Sequence, residues 1–132
     1  MAGELILIVE DNDKNLKLAR DVLLHRGFRT LEAMTAAEGI KLAVEHRPDL
    51  VLMDIQLPDA DGVSALQQLR AEASTQGIPV VAFTASVMEA DRQRLAAAGF
   101  DGYLAKPIDV KVFPEQVRGY CAAASEGRCT GA

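Results

Sequence analysis

Val51-Leu52-Met53-Asp54-Ile55-Gln56-Leu57-Pro58 is an apolar run that ends in a single acid, with Asp59, Asp61 and Gly62 just beyond it. A short apolar run bounded by turn residues has the pattern of a strand buried on both faces of a parallel sheet. A carboxylate placed where such a strand stops lies at the C-terminal edge of the sheet, the edge at which open α/β folds bind ligands. The plainer role for Asp54 is to cap the next turn, and the rest of the chain weighs against it.

Upstream, Leu5-Ile6-Leu7-Ile8-Val9 is a second continuous run, ending in Glu10-Asp11-Asn12-Asp13. Asp11 or Asn12 can cap the helix that follows, because a short side-chain oxygen accepts its free N–H groups. That helix is expected to run to about Arg26, with Gly27 as its stop. Leu18, Ala19, Val22 and Leu23 form its expected buried stripe, with Leu16 on the flank and Leu24 nearly opposite. Phe28 to Ala33 alternates apolar and polar residues, which predicts a strand nearer the sheet edge. Thr35 then caps a helix carrying Ala36, Ile40, Ala43 and Val44, which ends before Pro48.

Downstream, a helix after Gly62 carries Val63, Leu66 and Leu69 on one face. Ile78-Pro79-Val80-Val81-Ala82-Phe83 is the fourth strand, with its proline tolerated at the start, and it stops at Thr84. A helix with Met88, Leu95 and Ala98 ends at Gly99. The fifth strand spans about Gly102 to Ala105 and stops at Lys106-Pro107, where a sharp turn predicts a cis bond. A last helix begins at about Val110. An interior Pro114 would cost ~3 kcal/mol, so either its first turn is 3₁₀ or the helix starts near Phe113. Five strands alternating with five helices predict an α/β, doubly wound parallel sheet.

At 132 residues the chain has the size of one domain. We expect that domain over residues 1–124, with a flexible tail of Ser, Gly and small residues over 125–132. No apolar run approaches the ~18 residues of a membrane span, and the first residues lack a secretory signal, which favours the cytoplasm. The formal net charge of −5 argues against a sequence-independent grip on nucleic acid. Cys121 and Cys129 read as free thiols, and His25 and His46 are not at metal-ligand spacing with them.

In a parallel sheet every strand's C-terminal end faces the same side. Four ends carry reactive groups: Glu10 and Asp11, then Asp54, then Thr84, then Lys106. Alone, each is explained as a cap or a surface charge. Together they place three carboxylates, a hydroxyl and an ammonium on one rim. Clustered carboxylates repel, and a hard cation compensates them. Magnesium suits the set, because it takes a few carboxylate oxygens and keeps positions open for water and phosphate. Lys106 and Thr84 suit phosphate oxygens, and an aspartate in that setting can be the nucleophile toward a phosphoryl group.

The acidic pair Glu10-Asp11, Asp54 in MDIQLPDADG, Thr84 in FTAS and Lys106-Pro107 in YLAKPI resemble the receiver domain of the two-component response regulators, from about Leu5 to Ala124. The resemblance implies a flavodoxin-like (βα)5 fold with strand order 2-1-3-4-5. It implies that Asp54 accepts a phosphoryl group from a histidine kinase or a histidine phosphotransfer protein. Asp11 and Asp54 would ligate Mg2+ directly with the backbone carbonyl of Gln56, and Glu10 through water. Lys106 would pair with the phosphoryl oxygens. Thr84 would move to bond them while Tyr103 turns inward, changing the surface of the fourth helix, fifth strand and last helix. Glu10 stands where an aspartate is commoner. The chain resembles stand-alone regulators with no DNA-binding or membrane part. The phrases EDNDKN and MDIQLP are similar to a single-domain group that regulates kinases in cell-cycle signalling.

Three other readings fit less well. A haloacid-dehalogenase-type phosphatase carries Asp-x-Asp after its first strand, whereas this chain has Asp54-Ile55-Gln56 after its third. A flavin module needs a first loop rich in Ser, Thr and Gly, and Glu10 and Asp11 would repel the flavin phosphate. A receiver that only binds partners would not need the intact set of acids, hydroxyl and ammonium.

Overall fold

A computed structural model describes residues 3–55, 57, 59, 62–84, 89–105 and 108–121. The elements are β1 (Leu5–Val9), α1 (Asp13–His25), β2 (Arg29–Ala33), α2 (Ala36–His46), β3 (Leu50–Asp54), α3 (Gly62–Ala71), β4 (Val80–Thr84), α4 (Glu89–Ala98) and β5 (Gly102–Ala105). A fifth helix, α5, covers residues 113–121. The five strands pair in parallel in the order β2-β1-β3-β4-β5. The expected architecture is therefore the observed one.

Strand periodicity divides the core in two. Leu7, Val9, Val51, Met53, Val80 and Ala82 pack on one face with residues of α2, α3 and α4. Ile6, Ile8, Leu50, Leu52, Val81, Phe83 and Leu104 pack on the other with residues of α1 and α5. Burying one such side chain contributes about 1.5–3 kcal/mol. All five residues of β3 and all five of β4 are buried. The strands that end in Asp54 and Thr84 are thus held by the most strongly buried part of the molecule. Strand β2, on the sheet edge, is mostly half-buried.

Helix ends follow their local chemistry. The Asn12 side chain accepts the Asn15 N–H and starts α1, and Thr35 accepts the Glu38 N–H and starts α2. Beyond α1, Gly27 at φ 90° donates to the Leu24 carbonyl and Phe28 donates to that of Leu23, and the pattern recurs at Gly99-Phe100 with Ala96 and Leu95. This is the paired-bond C-cap that favours glycine, with a hydrophobic contact across it.

Two expectations are refined. The buried stripe of α1 is Leu16, Ala19 and Leu23, while Leu18 is exposed and Val22 half-buried. At 100° per residue, Leu16 and Leu23 fall within about 20° of each other, whereas Leu18 lies more than a quarter-turn away. The last helix takes the later start, at 113, after a turn held by Asp109, whose carbonyl accepts from Val112 and Phe113. Pro114 thus sits in the first turn, where its missing N–H costs nothing. Met88 and the tail expected over 125–132 lie outside the described residues. Among the described residues no helix is long and apolar enough to cross a membrane.

Candidate functional site

The rim is built by register. Val9 pairs with Met53 across β1 and β3, so Glu10 and Asp54 each come one residue after a paired position, on neighbouring strands. Asp54 in turn pairs with Phe83, so Thr84 follows on the next strand, and Thr84 pairs with Ala105. In sequence Lys106 comes next after Ala105, but Lys106, its bond to Pro107, and Gln56 lie outside the described residues. Tyr103 on β5 is half-buried against the core on the α2–α3–α4 face.

Three of the predicted acids converge. Carboxylate oxygens of Glu10, Asp11 and Asp54 all lie within 4.8 Å of one another. Glu10 is fully buried, Asp54 nearly so, and Asp11 exposed. The turn after β1 is pinned at Glu10, whose N–H donates to the Ala33 carbonyl at 2.9 Å and whose Oε1 accepts the Asn12 N–H at 3.0 Å. Asp11 is left on the surface between them. On the other side, Gly62 closes the loop after β3 by donating to the Ile55 carbonyl at 3.1 Å. A Cβ at Gly62 would stand 2.8 Å from the Ile55 Cα and 2.9 Å from the Asp54 carbonyl oxygen, so the glycine is required beside Asp54 by close approach of backbone. Thr84 is buried at the end of β4.

Charge explains what such a site takes. Two ionised carboxylates about 5 Å apart repel by about 3 kcal/mol at an effective dielectric constant of 20. A small divalent cation reverses the sign of that term. Oxygens sharing one magnesium lie about 3–4 Å apart, given bonds of about 2.1 Å. The observed spread needs only slight closure, and a donor set of carboxylates is the set a hard cation prefers. Glu10, Asp11 and Asp54 therefore fit Mg2+. Among the described residues they are the one group of His, Cys, Asp or Glu so disposed.

One acid of the same rim went unread in the sequence. The Asp59 carboxylate, in the loop after β3, accepts the Ala36 N–H at 2.8 Å and the Ala37 N–H at 3.0 Å, at the start of α2. These two bonds hold its carboxyl below the usual carboxylate range.

A family model described as the response regulator receiver domain matches residues 6–118. The chain is 42% identical over 115 residues to the polar-differentiation response regulator DivK of Brucella anthropi, an alignment covering 87% of this chain and 94% of that one. Among solved structures, the receiver domain of a sensor histidine kinase from Pseudomonas aeruginosa, with a magnesium ion coordinated in its active site cleft, has a TM-score of 0.83 at 32% identity over 92% of this chain and 99% of its own. A CheY-like receiver domain protein from Methanospirillum hungatei has a TM-score of 0.85 at 25% identity, covering 96% of this chain and 99% of that one.

Proposed function

The chain belongs to the response regulator receiver domain family, and from that premise we propose that Asp54 is its phosphoacceptor, charged from a phosphohistidine of a sensor kinase or phosphotransfer protein. The observation that carries the reading is the convergence of Glu10, Asp11 and Asp54 at strand ends beside Thr84. An Asp54 carboxylate oxygen attacks phosphorus, the P–N bond to the donor imidazole breaks, and the imidazole leaves as the neutral base after taking a proton. Asp54 is left as an acyl phosphate. Water later attacks the same phosphorus, releasing inorganic phosphate and the free carboxylate.

The other residues act by position and charge. Glu10, Asp11 and Asp54, with the backbone carbonyl of Gln56, would hold Mg2+, which when bound neutralises the acids and the transferring oxygens. The Lys106 ammonium pairs with phosphoryl oxygens, and the Thr84 hydroxyl donates to one of them. Tyr103 turns inward as Thr84 moves, so the outcome is a changed protein-binding surface around α4, β5 and α5 rather than turnover of an external substrate. The support for Thr84 and Tyr103 as the switch is that Thr84 ends β4 next to Asp54 and Tyr103 lies on the adjoining strand.

The test is incubation of the full chain with acetyl phosphate and magnesium, followed by intact-mass measurement. One phosphoryl group is expected on wild type and none on Asp54→Asn. Label at the wild-type level on Asp54→Asn would sink the assignment.

A further inference from the structure

The two loops that bring the acids together are each hydrogen-bonded to one short segment, the junction between β2 and α2. On one side, the Glu10 N–H is held by the Ala33 carbonyl, two residues before the helix cap Thr35. On the other side, Asp59 reaches across 23 positions of sequence to the first N–H groups of α2. The loop after β3 is itself closed at its ends by the Gly62 to Ile55 bond. The junction from Ala33 to Ala37 is therefore bonded to the Glu10 turn through Ala33 and to the loop after Asp54 through Ala36 and Ala37.

We propose that Asp59 is a positioning residue of the acid pocket: by clasping the α2 N-terminus it fixes the loop after Asp54 at the spacing from Glu10 and Asp11 that a divalent cation needs. The inference rests on the phosphoacceptor reading of the pocket and adds a residue outside its ligand set. An ordinary helix cap serves its own helix from the residue just before it. Here Thr35 already does that, accepting the Glu38 N–H. The Ala36 and Ala37 N–H groups are taken instead by an acid from the neighbouring loop. A carboxylate bridging two N–H groups on the positive end of a helix makes charge-assisted bonds, stronger than neutral ones. It resists the outward drift of a loop whose neighbouring acids repel.

The experiment separates positioning from helix capping. Magnesium affinity of the full chain is measured by calorimetric titration, alongside melting temperature and the rate of acetyl phosphate labelling. Asp59→Ala is expected to weaken magnesium binding by about three- to tenfold, below the ten- to hundredfold typical of a partner bonded directly to a ligand. Its labelling rate should approach wild type at saturating magnesium and fall behind when magnesium is limiting. Asp59→Asn, which keeps one acceptor oxygen, should show the same effect in smaller degree, and it carries the test if the alanine variant does not fold. Thr35→Ala removes the cap on the Glu38 N–H from the same helix end and keeps the Ala36 and Ala37 N–H groups for Asp59, so it should lower the melting temperature and leave magnesium affinity unchanged. Wild-type magnesium affinity in both Asp59 variants overturns the proposal, whatever their melting temperatures. Equal weakening by Thr35→Ala overturns it too, because fraying of α2 would then suffice. Failure of wild type to take label at Asp54 counts against the phosphoacceptor reading, and the magnesium comparison still decides the role of Asp59.

Discussion

The two ends of the sheet use the same residue type to opposite effect. At the N-terminal end, Asp49 immediately precedes β3, donates its N–H to the Leu5 carbonyl at 2.8 Å and accepts the Leu5 N–H on its carboxylate at 2.8 Å. Asp101 immediately precedes β5 and does the same to Val80, with both distances again 2.8 Å. Each acid completes the ladder where its own strand has not yet begun, so the first residue of the neighbouring strand is paired through both backbone groups. Asp101 is further matched by Arg70 at 2.9 Å. At the C-terminal end, Glu10, Asp11 and Asp54 face one another. There the acids are gathered with one another, and a cation can offset their mutual repulsion. The difference teaches that a carboxylate at the N-terminal edge serves the strand ladder, whereas carboxylates gathered at the C-terminal edge, Glu10 with its bond to the Asn12 N–H included, form a set that a cation can hold.

The largest test of that contrast is magnesium. Binding only to the assembled cluster, it should stabilise wild type by about 2.7 kcal/mol at a hundred times its Kd. Asp54→Ala should lose most of that gain and melt higher than wild type in chelator, since one like charge is gone. Lys106→Ala should melt lower in chelator. Thermal unfolding of the three proteins with chelator and with excess magnesium reads both signs. An Asp54→Ala protein that is less stable in chelator and keeps the full magnesium shift would show that the acids act separately.

Asp101→Ala should behave in the reverse manner. It strips the partner from the Val80 N–H, on a fully buried residue, at a cost of about 1–3 kcal/mol. The ion pair with Arg70 adds little, since both side chains are substantially exposed. Denaturant unfolding should show this loss with the magnesium increment unchanged. Asp49→Ala should cost less, about 1 kcal/mol, because Leu5 is only half-buried. A magnesium increment altered by either substitution would break the division between the two ends.

The smallest expected effect concerns acid. Asp59 lies by the C-terminal rim yet is bonded to backbone like the acids at the far end. Its folded pKa lies below its ordinary value of 3.8. Its contribution is therefore complete above that value and is lost as pH falls through the lower folded one. Asp59→Asn should flatten only this most acidic part of a stability–pH curve, below about pH 4. Divergence from wild type beginning near neutral pH would contradict it.

Glu10, Asp11, Asp54 and Thr84 could be read from the chain because each stands where an apolar run stops, and burial periodicity is a local property of sequence. The same logic misplaced Leu18. Leu18 and Leu16 are equally apolar and lie on nearly opposite faces of α1, and only packing against β1 and α5 decides which face is covered. Asp49, Asp59 and Asp101 were illegible for a different reason. Their partners are 44, 23 and 21 residues away, and nothing near an aspartate in the chain states which N–H it will meet.

By itself, then, the sequence determined the order of strands and helices, the parallel sheet, and the residues that end each strand, because these follow from side-chain hydrophobicity and turn chemistry over a few residues. Tertiary structure alone decided how closely those acids meet. Val9 had to pair with Met53, and Asp54 with Phe83, before three carboxylates became one site. The α2 N-terminus had to meet the loop after β3 before Asp59 could accept its N–H groups, since repulsion and hydrogen bonding depend on distance in space and not on separation along the chain.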